Sequence, residues 1–154
     1  MRIYTSYFYQ IRFFTPNVIP LSTAVWDPKW YHNHQDQGHI YKDKRGVLNG
    51  IRYTPLAPGQ ECSGDCHGRD NCQSNPDNCV FLKHYRDQLD KIDFQQMLRD
   101  LKSLADSSAK AFNLKGDVSI CLIVHEAPSN PCSERVVIQQ WFKDNNFPIT
   151  EWSR

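Results

Sequence analysis

The sequence has no long apolar run and no excess of charge of either sign. No stretch approaches the ~18 consecutive apolar residues of a membrane-spanning helix. The 18 Lys and Arg nearly balance the 17 Asp and Glu, so no strong overall field would hold the chain to nucleic acid or to an anionic membrane. We therefore expect neither a membrane protein nor one that binds nucleic acid through its net charge.

The amino-terminal residues also lack the features of an export signal. Residues 1–14 are aromatic, include Arg2 and Arg12, and contain no uninterrupted apolar stretch with a small-residue cleavage site. We therefore expect a cytoplasmic protein. In that compartment cysteines usually bind metal, react or sit in the core, so these roles are favoured over three disulfides for the six cysteines.

Apolar runs and helical periods alternate along the chain. Amphipathic helices are predicted at 81–89 and 94–105, with a break near 90–93. A further helix should begin at Cys132 or Ser133 and bury five apolar residues: Val136, Val137, Ile138, Trp141 and Phe142. Strands are predicted within 2–14, at 18–25, 51–56 and 118–124, and at an edge over 147–152.

The almost wholly apolar run at 118–124 is typical of a strand at the centre of a parallel sheet. The sequence therefore predicts one α/β domain over residues 1–154, with a small, mainly parallel, Rossmann-like sheet flanked by helices. Residues 27–50 have no clear period and are expected to form an irregular surface segment. Its aromatic and histidine side chains could line a pocket, although we expect them to cover an edge of the core: Trp26, Trp30, Tyr31, His32, His34 and His39.

Residues 58–79 carry four cysteines and almost no large apolar side chains, so a hydrophobic core cannot order them. Cys62, Cys66, Cys72 and Cys79 fit a tetrahedral Zn²⁺ site within a cysteine-rich insertion, and His67 could replace one ligand. An iron–sulfur cluster is a less favoured reading, and free thiols or two disulfides are the alternative to metal.

Polar residues follow the predicted central strand at the edge where open α/β sheets bind ligands. Glu126, Cys132 and Arg135 are the candidate catalytic residues. Six others are candidate ligand-binding residues at the strand ends and the helix amino terminus: Thr5, Ser6, Ser22, His125, Ser133 and Glu134. Unpaired N–H groups at a helix start favour a phosphate or carboxylate, although a capped helix with a solvated Arg135 would explain the same residues.

Two stretches resemble a known family. ICLIVHEAPSNPCSERVVIQQWFKDNNFPITEW is similar to the end of the domain-of-unknown-function family 488 of bacterial and phage proteins, and IYTSYF followed by VIPLSTAVWDPKWY is similar to its first two strands. The family's Cys-His-Arg motif is incomplete here, since no alignment of Cys132 to Arg135 recovers the His. Ser22 and Thr23 stand where an Asp and an Arg often follow the family's second strand.

The resemblance implies a ligand site at the sheet edge and no particular reaction. We expect a binding protein or an enzyme that acts on a nucleotide or a modified base, in a phage or bacterial defence context. The alternative is a zinc-stabilised interaction module without catalysis. Thiol chemistry at Cys132 ranks last, because only His125 could serve as its base.

Overall fold

A four-stranded parallel sheet organises the fold in the computed structural model, which describes residues 1–32, 40–59 and 76–154. Its strands are β1 (Arg2–Tyr7), β2 (Val18–Ser22), β5 (Ser119–Val124) and β6 (Thr150–Glu151), in the order β2-β5-β1-β6. Every pairing in this sheet is parallel, and β5 lies inside it, between β1 and β2. The predicted α/β, Rossmann-like fold is therefore confirmed.

The three α-helices pack against one face of this sheet. They are α1 (Val80–Asp90), α2 (Phe94–Ala111) and α3 (Glu134–Asp144). Their apolar sides share one buried cluster with Ile3, Ile19 and Leu122 of the strands. No helix in the described ranges is long and apolar enough to cross a membrane.

Shorter elements cover the opposite face. They are 3-10 helices at Phe8–Phe13 and Lys29–Tyr31, and an antiparallel hairpin of β3 (Tyr41–Lys42) and β4 (Leu48–Asn49). Further 3-10 turns occur at Thr54–Leu56 and Pro76–Asn78. The second core cluster, which includes Phe8, Tyr31 and Val47, lies here because alternate residues of β1 and β5 point to this side.

Three local predictions were wrong. Residues 51–56 contribute a single bridge between Ser22 and Arg52 and then a 3-10 turn, because Pro55 cannot donate to a strand ladder. The segment 27–50 contains the hairpin and a 3-10 turn, where an irregular segment was expected. Val136 is 45% exposed, so it does not face the core with its neighbours Val137 and Ile138.

Candidate functional site

The carboxyl ends of the parallel strands lie at one edge of the sheet, where two groups of polar side chains meet. The first group surrounds the amino terminus of α3 and includes Thr5 from β1 and Glu151 from β6. The second surrounds Ser22 at the end of β2. Open α/β sheets bind ligands at this edge, so both groups are candidates for a functional site.

Arg135 anchors the first group through a partly buried ion pair. Its Nε donates to Glu151 Oε1 at 2.7 Å, and the same oxygen accepts from Thr5 Oγ1 at 2.7 Å. Gln139, one turn further along α3, donates to Thr5 Oγ1 at 2.7 Å. The Arg135 guanidinium carbon also lies 5.6 Å from the centre of the Tyr7 ring, within reach of a cation–π contact.

The rest of this ion pair has unused hydrogen-bonding capacity. Arg135 is 3% exposed, and its two terminal nitrogens have no hydrogen-bond partner among the described residues. Glu151 Oε2 is buried and equally unpartnered within those ranges. Buried polar atoms without partners are uncommon in native proteins, so this group of donors and an acceptor requires an explanation.

Ser133, Glu134 and Glu126 form the start of α3. Ser133 is the amino-terminal cap: its hydroxyl accepts from Arg135 N at 3.2 Å and donates to Glu126 Oε2 at 3.1 Å. Burial, and next the charge of Glu126, raise the pKa of Glu134 well above the ordinary value of 4.5. Burial and the Glu126 carboxylate therefore both favour the protonated form of Glu134, beside the Ser133–Glu126 pair.

The second group is centred on Asp27, whose side chain is 4% exposed. Asp27 Oδ1 accepts from Ser22 Oγ and, at 2.6 Å, from Arg52 Nη1, while Oδ2 lies 2.7 Å from His32 Nε2. Arg52 also donates to the carbonyl oxygen of Ala24 at 2.7 Å. The positive charge of Arg52 partly offsets the rise in the pKa of Glu134, so the two groups interact electrostatically.

Sequence reasoning missed Asp27 and Arg52. The resemblance to family 488 implies an acid and an arginine directly after β2, where Ser22 and Thr23 stand. The structure brings Asp27 and Arg52, 5 and 30 residues beyond Ser22, onto the Ser22 hydroxyl. The bridge between Ser22 and Arg52 is what aligns them, and the sequence signals no such contact.

Three other predicted site residues, Ser6, His125 and Cys132, have different surroundings. Ser6 is buried with its hydroxyl unpartnered among the described residues, and strand alternation puts it on the face opposite Thr5. His125 donates from Nε2 to the carbonyl oxygen of Trp26 at 2.5 Å, and its ring packs on those of Trp26 and Phe8. Cys132 is half-buried, and its backbone N–H donates to Asn130 Oδ1 at 2.9 Å.

The predicted metal ligands Cys62, Cys66 and Cys72, with His67, lie outside the described residues. So do His34 and His39 of the aromatic segment. Cys79 is described: it directly precedes α1 and is 2% exposed within the helix-side core. Within the described ranges, no three His, Cys, Asp or Glu side chains are grouped so as to hold a metal ion.

No family model, curated protein or solved structure gives a significant match to this chain. The resemblance to family 488 therefore stays a prediction.

Proposed function

We propose that the chain binds a nucleotide or a modified nucleobase at the carboxyl edge of its sheet, with Arg135 and Glu151 contacting the base. The observation that carries this proposal is the buried Arg135 guanidinium, whose two terminal nitrogens lack partners among the described residues. A charge-assisted hydrogen bond contributes about 1.5 to 3 kcal/mol. A ligand that supplies acceptors here gains that energy at little entropic cost, because the ion pair with Glu151 already fixes the Arg135 side chain.

The unpartnered atoms favour a ligand edge that both accepts and donates. Arg135 offers N–H donors, whereas Glu151 Oε2, on the same ion pair, offers only an acceptor. Base edges present acceptors and donors side by side, and arginine commonly binds the paired acceptors of guanine. A phosphate group offers acceptors to the arginine but no donor to the glutamate at neutral pH.

The charges nearby also favour a base over a phosphate at this point. Two carboxylates belong to this group. Glu151 forms the ion pair with Arg135, and Glu126 accepts a hydrogen bond from Ser133, the cap of α3. The Ser133 hydroxyl already accepts from the backbone N–H of Arg135, so the start of α3 is capped. We therefore assign the base, not the phosphate, to Arg135, and this revises the expectation of an anion at the helix amino terminus.

Should the bound ligand be turned over, Glu134 and Glu126 are the groups suited to move its proton. A buried carboxyl whose pKa is raised is suited to act as a general acid, and a neighbouring carboxylate can accept a proton. Cys132 would then be expendable. Cys132→Ala should keep most of any activity, whereas Glu134→Gln should abolish a step that needs a proton donor.

Titration calorimetry with a panel of bases, nucleosides and 5′-monophosphates, including 5-substituted pyrimidines, tests the proposal. Arg135→Lys keeps the charge but loses the planar fork, so it should weaken binding about tenfold or more. Arg99→Lys, on the exposed surface of α2, is the matched control and should bind as wild type.

A second variant keeps the test valid if a substitution at the buried Arg135 unfolds the protein. Glu151→Gln keeps an oxygen for Arg135 Nε and Thr5 but replaces the free acceptor by a donor. It should change which base binds best. If no member of the panel binds, or if both variants fold and bind as wild type, the proposal is wrong.

A further inference from the structure

A cavity of about 340 Å³ lies on the face of the sheet opposite the three helices. Its walls come from the 3-10 helix after β1, the turn that carries Trp30, and the β3–β4 hairpin. Ligand cavities in proteins typically measure about 300 to 1,000 Å³, so this one suits a single small ligand. It shares no lining residue with the site around Arg135.

Aromatic rings form one part of the wall. The Trp30 ring makes edge contacts with Phe8 and Tyr31, at centroid distances of 6.1 and 6.2 Å. The Tyr41 hydroxyl donates to the carbonyl oxygen of Trp30, which ties this turn to the hairpin. Trp30 is nevertheless 44% exposed, so its ring is held in place and still has area to offer a flat ligand.

Two arginines form another part of the wall. Arg45 is fixed by donating from Nη1 to the carbonyl oxygen of Ile11 at 2.8 Å and from Nη2 to Asp43 at 2.7 Å. Arg12 donates from Nε to the carbonyl oxygen of Tyr9 at 2.9 Å, and its guanidinium stacks on the Tyr9 ring at 3.8 Å.

The terminal nitrogens of Arg12 have no partner among the described residues. The carboxylate of Asp43 pairs with Arg45 and offsets one of the two positive charges, so the cavity wall carries a net positive charge. The positioned cations favour an anionic group on the ligand.

From this combination we infer that the cavity binds a planar aromatic ring that carries an anionic group. The ring stacks on Trp30, and the anion pairs with Arg12 at the cavity mouth. This site does not depend on the one at Arg135, because the two lie on opposite faces of the sheet. Both nucleoside monophosphates and aromatic carboxylates have the required chemistry, and the experiment separates them.

Calorimetric titration with the four nucleoside 5′-monophosphates and with indole-3-acetate provides the test, in the Arg135→Lys background so that the other site contributes little. Free nucleosides, indole and inorganic phosphate serve as half-ligands. A ligand with both ring and anion should bind more tightly than either half. Trp30→Ala should weaken its binding about tenfold or more, as loss of a stacking platform does.

Two further variants separate the contribution of the ring contact from that of the anion contact. Trp26→Ala removes another exposed tryptophan, which packs on His125 outside the cavity, and should leave binding unchanged. Arg12→Gln should weaken the monophosphate or the carboxylate about fivefold and leave the uncharged half-ligand unaffected. Arg12 is exposed, so this variant should keep the wild-type melting temperature even if Trp30→Ala does not.

Preference for monophosphates or for indole-3-acetate identifies the natural class of ligand. If no ring-bearing anion binds, or if binding is equal in Trp30→Ala, Arg12→Gln and Trp26→Ala, the inference is overturned. Loss of binding at this cavity would leave the Arg135 proposal untouched, because that proposal is tested by Arg135→Lys and Glu151→Gln, and neither residue lines the cavity.

Discussion

Replacing Glu134 by Gln should stabilise the protein at neutral pH. Burial beside Glu126 raises the pKa of Glu134 well above 4.5, so the folded state holds a proton that the unfolded chain releases. Between 4.5 and the raised pKa of the folded state, folding requires proton uptake, and stability falls as the pH rises. Gln has nearly the same shape as the protonated acid and avoids this cost.

The size of the effect follows from linkage. Each unit by which the folded-state pKa exceeds the unfolded value costs about 1.4 kcal/mol once the pH is above both values. For a domain of this length, 1 kcal/mol corresponds to roughly 2 to 4 °C in the melting temperature. The gain of the Gln variant should therefore be larger at pH 7 than at pH 4, where the acid is mostly protonated in both states.

Thermal unfolding of both proteins by circular dichroism, from pH 4 to pH 8, measures this difference. Asp106→Asn is the control, because its carboxylate is 68% exposed and lies 3.8 Å from Lys102, in a surface pair worth little. Unlike this control, Glu134→Gln should raise the melting temperature more at pH 7 than at pH 4. A variant that is destabilised equally at pH 4 and pH 7 would mean that Glu134 is ionised in the folded protein and would refute the reasoning.

Three further predictions concern the rest of the chain. Asp27→Ala should lower the free energy of unfolding in urea by about 2 to 4 kcal/mol, since it leaves the Arg52 charge without its acid, and Asp27→Asn should lower it less. Tyr31→Phe should lower the free energy of unfolding by about 1 to 2 kcal/mol, because the buried Tyr31 hydroxyl donates to the carbonyl oxygen of Ile51 at 2.6 Å. Tyr9→Phe, at an exposed position, should leave the free energy of unfolding almost unchanged. Elemental analysis should find close to one Zn²⁺ per chain if the cysteines of 58–79 bind it, and less than about a tenth of an equivalent of zinc and iron together would contradict the metal prediction.

The main elements of the fold could be predicted because their signals are local. The apolar run ending at Val124 predicts a strand inside the sheet, and the spacing of Phe94, Met97 and Leu101 predicts a buried helix face. Ser133 was one of the two predicted caps of α3, and the structure confirms it. Short strands such as Tyr41–Lys42 leave no such pattern, since two residues show no period.

The candidate site depends on contacts that the sequence does not encode locally. A glutamate in the first turn of a helix is usually solvated, so nothing near Glu134 indicates that it is 5% exposed. Arg135 was predicted as a site residue, but its partner Glu151 comes from an edge strand 16 residues away. Asp27 and Arg52 meet only because residues 51–53 pass beside the end of β2.

A crystal structure of the protein with its tightest ligand from the base and nucleotide panel tests the central claim most directly. We expect the base at the carboxyl edge of the sheet, with its acceptors about 3 Å from the terminal nitrogens of Arg135 and a donor facing Glu151 Oε2. A structure at saturating concentration with no ligand beside Arg135, and with ordered water satisfying both of its terminal nitrogens, would contradict the account.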